Sequence, residues 1–259
     1  SLEKFIGVGT HRKYYIEQGE AYFDITPIRL TTSAGDVTFA RNGTTSTITV
    51  SETDHGALAG DFVTFSGAAS LGGNITAAVL NQEYQIHSVT NSSTYTILAR
   101  EVATLSSITV NGVYTPTQVN ANSSDTGNGG GSTVATYQIS NGLDTGVAGN
   151  GWGAGSWGVG EPSINEIRIW SHSNFGEDLV FGPNGGSIYL WDATNDVTTR
   201  AVELSSVSGA SDVPAKQNLI IVADISRFVF CMGASPIGST TIDPTLIRWS
   251  DQEDATNWT

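Results

Sequence analysis

The feature that most constrains this chain is its rhythm of short strand-like runs. From residue 163 onward, "INEIRIWS", "EDLVFGPNGGSIYLWDATN", "RAVELS", "NLIIVADI", "RFVFCMG" and "TLIRWS" follow one another with Gly, Pro, Asn and Asp between them. Runs rich in β-branched and aromatic residues, arriving about every 8 to 15 residues with turn signals between, read as strands and hairpins. "GPNGGS" between Phe181 and Ile188 is a strong hairpin signal. The pattern predicts a sandwich or propeller rather than a parallel α/β sheet. At about 40 residues per four-stranded blade, residues 163–259 make roughly two blades.

Residues 1–30 have the same character, with "KFIGVGT", "KYYIEQG" and "AYFDITPIRL" as strand runs. Pro27 marks a sheet edge or a strand end. From 34 to about 115 the pattern changes to short alternating runs, "STITVS", "DFVTFSG", "EYQIHSV" and "TYTILA". Ile48 and Val50 share one face, as do Tyr84 and Ile86, with His87 on the other. This predicts a small barrel or sandwich of about five strands, near the lower size limit for independent folding. Residues 117–162 are low-complexity, "NANSSDTGNGGGS" and then "GNGWGAGSWGVG". Glycine at this density brings no side chains to a core and has a high ordering entropy.

The expected fold is therefore all-β: a discontinuous, incomplete β-propeller-like domain with a small β-barrel or sandwich domain inserted into it. Residues 1–33 form its first part, 34–116 the insert, 117–162 a Gly/Ser/Asn-rich linker and Trp loop, and 163–259 its second part.

Charge narrows the partners. Of the 259 residues only 14% are charged, 11 basic against 25 acidic, for a net charge of −14. Phosphate contacts need clustered Lys and Arg, and no such cluster is present, so polyanion binding is disfavoured. The single cysteine, Cys231, lies in the apolar run Phe228–Met232 and reads as a buried, inert thiol. The N-terminal sequence has no signal-peptide apolar core, and no stretch reads as a membrane span. The chain begins at Ser1 rather than Met and its last residue falls mid-pattern, the expectation for a piece of a longer protein.

Few residues suggest chemistry. Asp251, Glu253 and Asp254 follow the buried-looking strand Leu246–Trp249 and precede an exposed-type Asn257–Trp258. A glycosidase pair, a calcium loop and a subunit-facing acidic turn are the alternatives. The acids lie within four residues on one probable turn, without a strand-borne partner carboxylate and without EF-hand spacing. The reading is a structural junction. His11, His55, His87 and His172 are scattered, with no metal-ligand spacing; His55 and His172 read as local hydrogen-bonders. "GNGWGAG" lacks the strand-to-helix context of a dinucleotide loop. No cofactor or metal is implied, and the chain reads as non-enzymatic. Trp152 and Trp157 are interface anchors in this reading, glycan contact being the alternative. With Trp249, Asp251, Glu253, Asp254 and Trp258 they are the interface candidates. The Trp191–Asp192 dipeptide is a weak propeller signal on its own.

The run "IRIWSHSNFGEDLVFGPNGGSIYLWDATN", the later "VPAKQNLIIVADISRFVFCMGASPIGS", the closing "DPTLIRWSDQEDATNWT" and the loop "YQISNGLDTGVAGNGWGAGSWGVG" resemble the tail nozzle, or tail tubular and stabilisation, proteins of short-tailed bacteriophages. The resemblance covers residues 1–33 and about 137–259; the insert is less specific. It implies a β-propeller-containing virion subunit, assembled in the host cytoplasm into a homo-oligomeric ring, usually hexameric, with other tail proteins as neighbours. Genomic DNA would pass through the ring without specific binding. The acidic segment would be a blade-to-blade connection. The other function classes in view are a carbohydrate-binding receptor module of a tail fibre or adhesin, which would bind a host glycan, and a cell-wall- or capsule-degrading enzyme, disfavoured because no acid pair or metal site is legible.

Overall fold

A computed structural model describes residues 5–102, 117–140, 148–149, 161–162 and 169–258. The described residues are almost all strand and turn, and the fold is all-β. The chain forms two compact units, one of Ser1–Ile28 with Asn141–Thr259 and the other of Arg29–Ser140.

In chain order, β1 (Ile6–Gly9), β2 (Tyr14–Gln18) and β3 (Ala21–Asp24) make a three-stranded antiparallel meander, sheet I. The run "AYFDITPIRL" is not one strand. It breaks at Thr26–Pro27, and β4 (Ile28–Thr31) pairs instead with the second unit's sheet. The second unit continues through β5 (Thr38–Arg41), β6 (Thr47–Ser51), β7 (Phe62–Ser66), the single-turn helix α1 (Ala77–Leu80), β8 (Glu83–Gln85), β9 (Ser88–Asn91), β10 (Thr94–Leu98) and β11 (Val134–Gln138). Two open four-stranded sheets result, ordered β5-β6-β10-β9 and β4-β11-β7-β8. Ile48, Val50, Tyr95 and Ile97 from the first share one core with Val63, Phe65, Tyr84 and Tyr137 from the second. This is a sandwich rather than a closed barrel.

Residues 117–140 depart from the expected linker, because they belong to this second unit and supply β11. What low-complexity composition hid is one carboxylate. Asp125, almost fully buried, accepts from the backbone N–H groups of Gly73 (2.8 Å), Ile75 (3.0 Å), Asn74 (3.1 Å) and Asn122 (2.8 Å). Burial favours its neutral acid, yet these four donors hold the carboxyl below the usual range. Gly127 then passes so close to Leu71 that any Cβ would sit 3.1 Å from its backbone.

The first unit resumes with the short pair β12 (Ala148–Gly149) and β13 (Glu161–Pro162). Next come two successive four-stranded antiparallel meanders. Sheet II is β14 (Trp170–Phe175), β15 (Asp178–Pro183), β16 (Tyr189–Trp191) and β17 (Val202–Glu203). Sheet III is β18 (Leu219–Val222), β19 (Val229–Met232), β20 (Ile247–Asp251) and β21 (Asp254–Trp258).

The three sheets stack face to face. Tyr14 of sheet I lies against Trp170 and Phe181 of sheet II. The glycines of β1 make room for this: a Cβ on Gly9 would lie 2.5 Å from Trp170 Cδ1, and one on Gly7 would collide with the Tyr14 hydroxyl. On its other side sheet II packs Val180 and Ile188 against Ile220, Val222, Val229 and Cys231 of sheet III, with Leu204, Ala255 and Trp258. The Ile220 N–H donates to Ser171 Oγ (3.0 Å) across this contact. Sheet II is thus apolar on both faces, and both faces are covered.

Candidate protein interface

Sheet III has the same two-sided composition as sheet II, with only one side covered by the described residues. In β18 every residue is apolar, Leu219-Ile220-Ile221-Val222, and burial alternates along it. Ile220 and Val222 point inward, whereas Leu219 and Ile221 point out. The register puts Leu219 beside Met232 and Ile221 beside Phe230. It also puts Phe230 beside Trp249 and Met232 beside Ile247. Leu219, Ile221, Met232, Ile247 and Trp249 are each between 38% and 49% exposed. They form one continuous apolar surface over three strands, where scattered single residues would call for no explanation.

The acidic segment borders this surface. Asp251 and Asp254 face each other across the turn that joins β20 to β21, and Glu253 takes a left-handed conformation at φ 61°. The segment is therefore a hairpin turn inside one sheet, not a connection between two. The side chains of Asp251 and Asp254 each have a local task. The Thr256 hydroxyl and N–H donate to Asp254 Oδ1 (2.6 and 2.8 Å) and hold its carboxyl below the usual range. Asn257 Nδ2 donates to Asp251 Oδ2 (2.6 Å). The Glu253 N–H donates to the carbonyl of Arg227, in the β18–β19 turn (3.1 Å).

Trp249 stands on the exposed face. Trp258 does not: it is 2% exposed, packed in the core between sheets II and III, with Nε1 donating to Ala255 O (2.7 Å). The alternation that exposes Trp249 buries Arg248, whose guanidinium donates to Asp212 O (2.6 Å). The strand Leu246–Trp249 is therefore half-exposed rather than buried. Trp152 and Trp157 lie outside the described residues. Sequence reasoning missed Ile221, Met232 and Ile247, although the unbroken apolar run of β18 was their signal: a strand meant for water on one face alternates.

One end of the stack gathers acids. The Arg227 guanidinium lies 3.5 Å from where a Cβ on Gly176 would stand, so the β14–β15 and β18–β19 turns are neighbours. Glu177 and Asp224 in these turns are exposed, with Asp251, Glu253 and Asp254 beside them.

The second unit holds a buried polar cluster and an open groove. Tyr137 donates its hydroxyl to Glu52 and shares a 2.8 Å hydrogen bond with the Tyr95 hydroxyl. Burial pushes Glu52 up, beyond what the Tyr137 hydroxyl and the Arg29 guanidinium do to lower it. His55 accepts from the Ala57 N–H at Nδ1 (3.0 Å), which leaves its proton on Nε2, facing Asn91 O at 3.0 Å. It is a core hydrogen-bonder. The groove, about 560 Å³, is lined by Tyr84, Gln85, His87, Arg100 and Gln118 among others. Among the described residues no three of His, Cys, Asp and Glu gather as a metal site would require.

No protein-family model and no curated protein matches the chain. Among solved structures it is similar to a phage phi92 endosialidase, over 99% of this chain and 37% of that one, at 13% identity and a TM-score of 0.26. The chain thus spans little more than a third of that protein, and a likeness of this size does not define a shared fold.

Proposed function

We propose that the chain is a structural, non-catalytic subunit of a bacteriophage tail, of the nozzle type, and that copies of it form a ring around the channel through which DNA leaves the virion. The observation that carries this reading is the succession of two four-stranded meanders stacked on a third, N-terminal sheet, with the last sheet apolar on its uncovered side. An arc of propeller blades has this construction, and the first three motifs of the resemblance fall largely on its strands. In this reading the protein works by shape. Stiff sheets make a conduit, and an end where the acids Glu177, Asp224 and Glu253 surround Arg227 offers few cations to displace the counterions condensed on DNA phosphates. Particle sizing with low-resolution imaging tests it. A ring with an axial channel is expected, and a trimer without one sinks the reading.

A second reading, a glycan-binding receptor module, is favoured by one feature, the groove in the second unit. Gln85, His87 and Arg100 give it polar side chains. Glycan-array binding lost on Arg100→Ala, by a protein that forms no ring, would select this reading instead.

A further inference from the structure

We propose that, of the Asn-Gly pairs whose surroundings are described, the fold leaves the one at Asn42 open to spontaneous deamidation through a succinimide formed with Gly43. Asn-Gly is the dipeptide in which this chemistry meets least resistance, because glycine has no Cβ to obstruct attack by its own nitrogen on the preceding side chain. Six such pairs occur in the sequence. Those at Asn42, Asn128 and Asn184 lie among the described residues, whereas Asn111, Asn141 and Asn150 lie outside them.

Two of the described pairs are held away from reaction. At Asn184, Nδ2 donates to Asn218 O (3.1 Å) and the main-chain N–H to Ile169 O (2.8 Å). The nitrogen that would attack, that of Gly185, donates its N–H to Gln217 O (2.7 Å). At Asn128, Oδ1 accepts from the Gly130 N–H (3.1 Å) and the carbonyl from the Phe39 N–H (3.0 Å). Gly129 is buried, its carbonyl accepts from the Ala69 N–H (2.7 Å) and the Thr133 hydroxyl (3.1 Å), and a Cβ on it would stand 2.5 Å from the Phe39 ring. A five-membered ring closes at either site only after these contacts open.

Asn42, in the turn between β5 and β6, differs in the two groups that react. Its main chain is fixed, with the N–H donating to Thr47 O (3.1 Å) and the carbonyl accepting from the Thr45 hydroxyl (2.7 Å). Its side-chain amide and the Gly43 N–H make no hydrogen bond to the described residues. Both residues are exposed, Gly43 takes a left-handed φ of 62°, and no described atom lies within 4 Å of where its Cβ would be. In the reaction the Gly43 nitrogen loses its proton and bonds to Asn42 Cγ. The Cγ–Nδ2 bond breaks, and ammonia leaves with that proton. Water then opens the ring at one of its two carbonyls, giving an aspartate or an isoaspartate. Either product adds a negative charge to the turn, and the isoaspartate lengthens the main chain there by one methylene. Phe39, Ile48 and Val50 anchor the two strands in the core, so the change stays in the turn.

The test incubates the intact chain in warm, mildly alkaline buffer, folded in one sample and unfolded by guanidinium chloride in the other. Each is then cleaved after glutamate at mildly acidic pH. The fragment between Glu20 and Glu52 has Asn42 as its sole asparagine, so a mass gain of about 1 Da in it reports this site. Electron-transfer fragmentation locates the other sites and separates aspartate from isoaspartate. In the folded chain Asn42 is expected to react within about threefold of its unfolded rate, whereas Asn128 and Asn184 are slowed at least about tenfold by the contacts that hold them. Equal folded-state rates at Asn42 and Asn184 overturn the proposal. So does a mass gain at Asn42 without isoaspartate, because direct hydrolysis of the amide would then replace the ring.

Discussion

The Tyr14 ring stacks on Phe181 with centroids 4.3 Å apart and planes 23° from parallel, while its buried hydroxyl has no hydrogen-bond partner among the described residues. Burial pushes that hydroxyl well above the usual tyrosine range. The stack and the missing Cβ of Gly7 fix the ring where the oxygen has nothing to bond. Tyr14→Phe is expected to keep the stack and lose only an orphan polar group, leaving stability unchanged or higher by up to ~1 kcal/mol. Tyr14→Ala should cost about 3–5 kcal/mol. Urea denaturation checks both, and a clear loss on Tyr14→Phe would reveal a partner for the hydroxyl.

Gly9→Ala tests the same seam from the other side. Its new Cβ would press on Trp170, which also donates Nε1–H to Thr10 O (2.5 Å). Overpacking of this kind costs about 1–3 kcal/mol. A variant as stable as the parent would mean that β1 does not lie on sheet II as described.

Much of this fold was legible in the sequence, and the failures have physical causes. Alternation in "STITVS" and "EYQIHSV" predicted that Ile48 and Val50 share one face, as do Tyr84 and Ile86 with His87 opposite, because period-two patterning is a direct consequence of strand geometry. The low-complexity stretch misled because composition reports what brings no core side chains. It does not report that one Asp can bind four backbone N–H groups and order a loop that brings few core side chains. The 28–31 strand was assigned to the wrong unit since its partner, β11, lies more than a hundred residues away, beyond any local pattern. Trp258 read as exposed from its polar neighbour Asn257, but strand alternation puts neighbours on opposite faces. The acids of 251–254 were recognised as a turn, though which strands the turn joins depends on pairing that spacing does not encode.

Asp125→Asn should destabilise the second unit by about 2–4 kcal/mol, because an amide turns a donor toward N–H groups that need acceptors. The folded carboxyl lies below its unfolded value. Its contribution is therefore complete above the ordinary Asp pKa of ~3.9 and is lost as pH falls through the lower folded value. Thermal melts between pH 7 and pH 2 should show the parent losing this advantage in strong acid and the variant lacking that loss. Parallel curves would remove Asp125 from the account.

Glu52 has the opposite sign. Burial raises its folded pKa, so the stability it gives is complete below the ordinary Glu value of ~4.3 and is lost as pH rises through the raised one. Glu52→Gln keeps an acceptor for the Tyr137 hydroxyl and removes the buried charge. It should raise stability near neutral pH by ~1 kcal/mol and flatten the pH dependence there. A less stable variant at pH 7 would show that the charge is compensated in place.

Cys231 sits fully buried between sheets II and III, and burial pushes its thiol above the usual range. Thiolate is the reactive form, so the native protein should not react with a disulfide reagent such as dithionitrobenzoate, and one thiol should appear on unfolding in urea. Prompt reaction of the native protein would mean that the contact between the two sheets opens readily.

The last expectation concerns the acidic end of the stack. Neither the net charge of −14 nor the exposed Glu177, Asp224 and Glu253 offers DNA a binding surface. The protein should leave duplex DNA unretarded in a gel-shift assay at physiological salt. Glu177→Lys, Asp224→Lys and Glu253→Lys together replace three negative charges by three positive ones on neighbouring turns. All three positions are exposed, so folding should survive. The triple variant should retard DNA at low salt and release it as salt rises, because the new contacts act through counterion release and the Debye length shortens from about 30 Å at 0.01 M to about 8 Å at 0.15 M. Retardation by the unsubstituted protein at physiological salt would show that DNA is held elsewhere on the chain, and a conduit that only lets DNA pass would then be the wrong description.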